Sequence, residues 1–169
     1  VNPAQTEKLY GLALEYAGLT GSETVVDAYC GAGTISLLLA QKAKKVIGIE
    51  IVPEAIQNAN ENAVRNHIEN AEFYAADAGE LMPKLYQEGL RPDVIVMDPV
   101  RAGCSETVLS AAAGMQPSRI VYVSCNVATF ARDAKILAGL GYTVKEVTPV
   151  DMFPQTMHVE TVALLVLKK

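Results

Sequence analysis

The stretch Thr24-Val25-Val26-Asp27-Ala28-Tyr29-Cys30-Gly31-Ala32-Gly33-Thr34 decides the fold. From Thr24 a β-branched strand runs directly into a glycine turn, and Ile35 to Ala43 reads as a helix. A strand, a glycine turn and a helix in that order open an α/β sheet and let a ligand approach backbone that carries no Cβ. The GxG spacing lacks the third glycine of the dinucleotide fingerprint, and no Walker lysine follows. Its weight comes from its position between a strand and a helix.

Downstream, Lys45 to Glu50 forms a second strand ending on an acid, 17 residues beyond Gly33 (50 − 33). Glu50 is placed to accept hydrogen bonds from both hydroxyls of a ribose; the alternative is a solvent-facing turn acid. Pro53 to Asn66 is a helix opened by proline, and its asparagines Asn60, Asn62 and Asn66 are assigned to the surface. Ala71 to Ala75 is a third strand. Asp77 after it either meets an adenine edge or caps the helix containing Glu80-Leu81-Met82.

Pro92 to Met97 is a fourth strand, leading into the loop Asp98-Pro99-Val100-Arg101-Ala102-Gly103-Cys104. Residues 105–114 read as a helix with Ser105 as its cap. Arg119 to Val123 is strand five, followed by Ser124-Cys125-Asn126 and a helix from Thr129 to Leu140. Tyr142 to Val150 and Thr161 to Leu167 have no helical period between them. They are expected to form an antiparallel hairpin around Phe153-Pro154-Gln155. Upstream, residues 3–17 form a helix with Gln5 near its start. The sum is α/β: a doubly wound sheet with a terminal hairpin.

The 169 residues fit one domain, and 50% hydrophobic with 20% charged is a globular composition. The longest apolar run, Val162 to Leu167, is strand-sized, and the amino end does not resemble a signal peptide, so no membrane partner is expected. Cys30, Cys104 and Cys125 lack the spacing of a metal site or a secreted disulfide framework, which favours a cytoplasmic location. Net charge is 14 − 19 = −5, which argues against a stand-alone phosphate-gripping module. The chain opens at Val1-Asn2-Pro3 without Met and is read as an excised domain.

Cys125 follows a strand of buried type, where open α/β sheets place their chemistry, although a free cysteine there is equally a small core residue. If the last strand runs antiparallel, Glu160 at its start returns to the same rim, 35 residues away (160 − 125). A thiolate is a nucleophile, and Arg101 or the helix after Cys125 is placed to favour the anion. Glu160 is a candidate base, with His158 its rival; His67 is assigned to the surface. A cysteine protease would leave the glycine turn, Glu50 and Asp77 without a role. A dehydrogenase would leave Cys125 and Glu160 without one.

Four segments in order carry a specific resemblance: Asp27 to Thr34, Asp98 to Cys104, Val123-Ser124-Cys125-Asn126, and His158-Val159-Glu160-Thr161. Together with Val1-Asn2 and Gln5, the chain resembles the S-adenosylmethionine-dependent RNA uracil-5-methyltransferases, which make 5-methyluridine in ribosomal or transfer RNA. The resemblance implies a Rossmann-like class I methyltransferase fold over residues 1–169, a seven-stranded mostly parallel sheet with an antiparallel hairpin. It implies Cys125 as nucleophile, Glu160 as base and Asp98 as the acid that meets the uracil. It also implies a cofactor pocket of Gln5, Tyr29, Gly31, Gly33, Glu50, Asp77 and Asp98, with S-adenosyl-L-methionine as cofactor and no metal in this domain. The expected substrate is 23S ribosomal RNA, with transfer RNA as the alternative.

Family members often have a second proline where this chain has Val100, so the Asp98 loop is expected to be looser. Members commonly add an amino-terminal RNA-binding barrel, some with an iron–sulfur cluster, and such a domain is expected to supply much of the phosphate grip. An RNA cytosine-5-methyltransferase usually has Pro-Cys near strand four, and an amino-group methyltransferase has an aromatic residue where Arg101 stands. A non-catalytic RNA-binding module predicts no affinity for the cofactor.

Overall fold

The computed structural model describes residues 3–152, 156 and 159–169. The expected opening residues Val1-Asn2, the hairpin loop Phe153-Pro154-Gln155 and the rival base His158 lie outside the described residues. Among the described residues, thirteen elements alternate along the chain. They are α1 (Pro3–Ala17), β1 (Thr24–Asp27), α2 (Thr34–Ala40), β2 (Lys45–Glu50), α3 (Pro53–Arg65), β3 (Ala71–Ala75), α4 (Ala78–Gln87), β4 (Val94–Met97), α5 (Glu106–Gly114), β5 (Arg119–Ser124), α6 (Val127–Gly139), β6 (Tyr142–Val150) and β7 (Glu160–Leu167).

The strands form one sheet in the order β3-β2-β1-β4-β5-β7-β6. The first five are parallel, and β7 runs antiparallel to both β5 and β6. The chain moves outward from β1 to β3, then returns to β4 on the other side of β1. That reversal opens a crevice at the carboxyl ends of β1 and β4, the usual ligand position in such sheets.

Helices cover both faces, so the central strands are apolar on both sides; every residue of β4 is buried. Alternation sorts their side chains between two cores. Val25, Val94, Val96, Val121, Val123, Val162 and Leu164 pack with Leu9, Ala13, Tyr16 and Ala17 of α1 and Ile35 and Leu39 of α2. Ile95, Met97, Ile120, Tyr122, Ala163 and Leu165 pack with Met82 of α4, Val108 and Leu109 of α5 and Phe130 and Leu137 of α6. The outer strand β6 is mostly exposed, carries Lys145 and Glu146, and is bulged between Val144 and Glu146, features that discourage edge pairing.

The element starts differ from expectation in one informative place. The expected helix start at Thr129 lies instead at Val127, because the Asn126 side chain caps α6 by accepting from the amides of Ala128 and Thr129. The nucleophile candidate is therefore separated from a helix by one capping residue. No helix among the described residues is long and apolar enough to cross a membrane.

Candidate active site

The glycine turn follows β1 with Gly31 at φ 53° and Gly33 at φ 85°, backbone conformations that favour glycine. Glu50 at the end of β2 accepts from the Gly31 amide at 3.2 Å and from the Val52 amide at 3.3 Å. Asn62, assigned to the surface from sequence, donates to the Ala32 carbonyl at 3.1 Å and holds the turn from α3. Its signal was present only as an asparagine inside a helix, where asparagine is a poor former.

Asp77 caps α4, accepting from the Glu80 amide at 3.2 Å, and also lines a cavity of about 140 Å³. Tyr29, Glu50, Ile51, Ala78 and Val108 share that cavity. The cap and a position on the cavity wall thus coincide in one carboxylate. A carboxylate at the end of β2, a second after β3 and an aromatic after β1 match what a nucleoside needs: acceptors for ribose hydroxyls and an adenine amine, and a ring to lie against.

Asp27 is buried; the Ser36 hydroxyl donates to its Oδ2 at 2.7 Å, the Tyr29 backbone also favours its charged form, and Oδ1 has no geometrically good partner among the described residues. Burial pushes its carboxyl up to about 6. An orphaned buried carboxylate oxygen beneath the glycine turn suits a ligand that brings a donor, such as an ammonium group.

The chemical groups collect at one end of the sheet. Asp98 follows β4 two residues after Val96, Cys125 follows β5 two after Val123, and Glu160 precedes Val162 by two. Asp98 and Glu160 both act on Tyr10 of α1 and on Cys125, so the three groups share one end of the sheet on the α1 side. The β5–β7 register ends with Ser124 opposite Thr161, the neighbours of Cys125 and Glu160.

The helix that carries Gln5, α1, packs on the same side of the sheet. Arg119 at the start of β5 donates to the Ala17 carbonyl at 2.9 Å, fixing the end of α1 at the opposite edge. From there α1 runs back along β5. Its twelve residues from Ala17 to Gln5 (17 − 5) rise about 18 Å, close to the length of β5. Tyr10 on α1 packs against the same core and lies in the field of Asp98 and Glu160; burial and those two acids raise its phenol.

Electrostatics in the cluster run against charge. Burial, then Asp27, then Glu160, push the Asp98 carboxyl up to about 7. Burial raises Glu160. Burial and then Glu160 raise the Cys125 thiol, with Arg101 acting the other way but not prevailing. Arg101 does favour the anion, as expected, but burial and Glu160 outweigh it and the net direction for the thiol is upward. The site thus sets one carboxyl near neutrality, Asp98, beside a carboxyl and a thiol that are both raised.

The loop from Asp98 to Cys104 is more firmly held than Val100 suggested. Val100 is 72% exposed, so no core packing depends on its side chain, and its carbonyl accepts from the Gly103 amide at 2.8 Å in a closed turn. The other two cysteines, Cys30 and Cys104, are buried, and burial raises both thiols, Cys104 to about 11. Among the described residues there is no cluster able to hold a metal ion.

An uncharacterized RNA methyltransferase of Clostridium acetobutylicum is 59% identical over 98% of this chain. One of Halalkalibacterium halodurans is 59% identical over 99% of it. The chain spans 36% and 37% of the lengths of those relatives. The crystal structure of Pyrococcus abyssi tRNA (uracil-54, C5)-methyltransferase with S-adenosyl-L-homocysteine superposes with a TM-score of 0.80 at 36% identity, covering 94% of this chain and 38% of that one. A family model described as a methyltransferase domain matches residues 19–141, from the lead into β1 through the end of α6, and the chain belongs to that methyltransferase family.

Proposed function

We propose that this chain is the catalytic domain of an RNA uracil-5-methyltransferase that uses S-adenosylmethionine, acting on a uridine of 23S ribosomal RNA. What carries the reading is the clustering of Cys125, Glu160 and Asp98 at one end of the sheet, with Asp27 of the glycine-turn strand acting on Asp98. A transfer RNA substrate is the second reading, supported by the 36% identity to the Pyrococcus enzyme.

Glu50 and Asp77 would hold the ribose and adenine of the cofactor, with Tyr29, Gly31 and Gly33 shaping the pocket and Gln5 and Asp98 closing its methionine end. Bound there, S-adenosylmethionine supplies the electrophilic methyl carbon that C5 of the base captures. Uracil C5 is a poor nucleophile until C6 is substituted. Cys125 gives up its proton to solvent as its Sγ bonds to C6, and the C5–C6 π electrons move onto C5 and the C4 oxygen. Asp98, with its carboxyl near 7, holds a proton that it donates as a hydrogen bond to the base as negative charge develops. After methylation Glu160 removes the remaining C5 proton. Those electrons re-form the C5–C6 double bond and expel the Cys125 thiolate. The uridine must leave its stack to reach the rim, at a cost of a few kcal/mol.

Net charge of −5 leaves little phosphate grip in these residues, so an additional RNA-binding domain is part of the proposal. Mapping 5-methyluridine in ribosomal and transfer RNA from cells with and without the intact gene tests it. Loss of one ribosomal site is expected. Loss of a transfer RNA site selects the second reading, and an unchanged 5-methyluridine map rejects both.

A further inference from the structure

α6 starts immediately after the Cys125-Asn126 loop, and its side chains hold the separate loop that carries Asp98. Asp133 on α6 is fully buried. Its Oδ2 accepts from the Cys104 amide at 2.8 Å and from the Tyr122 hydroxyl at 2.5 Å. Its Oδ1 accepts from Arg132 Nε at 3.0 Å and Nη2 at 2.9 Å. Arg132 Nη2 in turn donates to the Ala102 carbonyl at 2.9 Å and the Cys104 carbonyl at 3.2 Å. One turn earlier, Thr129 Oγ1 lies 3.1 Å from both the Arg101 and the Asn126 carbonyls. Backbone groups of Arg101, Ala102 and Cys104 are thus fixed by one helix, which is itself capped by the residue after the nucleophile.

The close approach has a sequence requirement. Gly103 sits at φ 78°, and a Cβ there would stand 2.7 Å from both Arg132 Nη2 and Asp133 Oδ2. Only glycine lets the loop backbone settle on this ion pair.

We propose that Asp133 is a positioning residue: through Arg132, Tyr122 and the Cys104 amide it locks the Asp98–Cys104 loop to α6 and so sets Asp98 relative to Cys125. This rests on the roles given above to Asp98 and Cys125. The carboxylate is required because donors meet both of its oxygens. Asparagine has one acceptor oxygen. Whichever way its amide turns, an NH2 group faces either Arg132 or the Cys104 and Tyr122 donors.

The test compares Asp133→Asn with Tyr142→Phe in the intact protein. Tyr142→Phe removes a buried hydrogen bond of 2.6 Å to the Pro117 carbonyl at the far end of the sheet. It lowers thermal stability without touching the loop. Amide hydrogen exchange of residues 98–104 is read beside tritium-methyl transfer to total RNA from cells lacking the gene. Asp133→Asn should speed exchange in that loop and lower kcat about a hundredfold, since a 1 Å misplacement has that effect. KM for RNA should stay within about threefold, because phosphate contacts elsewhere set it. Tyr142→Phe, assayed at the same margin below its melting temperature, should keep wild-type kcat.

Unchanged loop exchange, a kcat within about twofold of wild type, or an equal loss of kcat in Tyr142→Phe would overturn the positioning role. If Asp133→Asn does not fold, Arg132→Gln removes the Ala102 and Cys104 carbonyl contacts from a half-exposed position, and the same readouts apply. Methyl transfer by the wild type to a position other than uracil C5 would reject the proposed acceptor. The exchange and kcat comparison would still decide the role of Asp133.

Discussion

Replacing Asp98 by Asn should change how stability depends on pH, by an amount the site geometry sets. Asp98 lies among Asp27 and Glu160 in a partly dehydrated rim, and its carboxyl rises from 3.8 to about 7. Between those values the folded protein binds a proton that the unfolded chain releases. Stability from this group is therefore fully present below 3.8 and is lost as pH rises through about 7. A shift of about three units corresponds to about 4 kcal/mol, reduced where rim water screens the charge. Asn has the same shape and does not titrate, so any constant packing penalty cancels in the pH dependence. The repulsion from Asp27 and Glu160 is already part of that rise and is removed with the Asp98 charge. Urea unfolding from about pH 4 to pH 8 reads the difference. Asp98→Asn should gain several kcal/mol relative to wild type across that range. Parallel stability curves for the two proteins would refute the account of the acid cluster.

Three further outcomes are expected. Cys125→Ala should abolish methyl transfer while calorimetry with S-adenosylhomocysteine shows binding retained, because the thiol belongs to the acceptor side of the rim; normal turnover would count against it. Glu160→Gln should accumulate a protein–RNA adduct of retarded mobility on a denaturing gel, since the adduct forms but its C5 proton stays; no adduct with competent RNA would remove Glu160 as the base. Gly48→Ala should destabilise by about 1–3 kcal/mol in thermal unfolding, because the new Cβ would stand 2.6 Å from the Phe73 ring and 3.0 Å from Cys30 Sγ; an unchanged melting temperature would show that the β2–β3 packing yields.

The strands were legible because most are short β-branched runs between turn residues and β3 carries the aromatic pair Phe73-Tyr74, and β2, β3 and β6 have the expected bounds. The meeting of Cys125 and Glu160 was legible from topology alone, since an antiparallel last strand must start where β5 ends. The side-chain partnerships were not. Asp133 reads locally as a polar residue on a helix. Its partners Cys104 and Tyr122 lie 29 and 11 residues away and meet it only when α6 packs on β5. Asn62 and Ala32 are 30 residues apart and meet for the same reason. For the thiol, the pull of Arg101 toward the anion was legible, whereas burial and Glu160, which outweigh it, come only with the packed fold. Asn126 carried a usable signal, because an asparagine directly before a helical run is a common cap.

The most direct measurement of the central claim is a trap at C6. The intact protein, with S-adenosylmethionine and RNA in which uridine is replaced by 5-fluorouridine, has no C5 proton for Glu160 to remove. A methylated adduct should persist, and peptide mass spectrometry should place the nucleotide on Cys125. Methyl transfer without any adduct, or an adduct on another residue, would contradict the account.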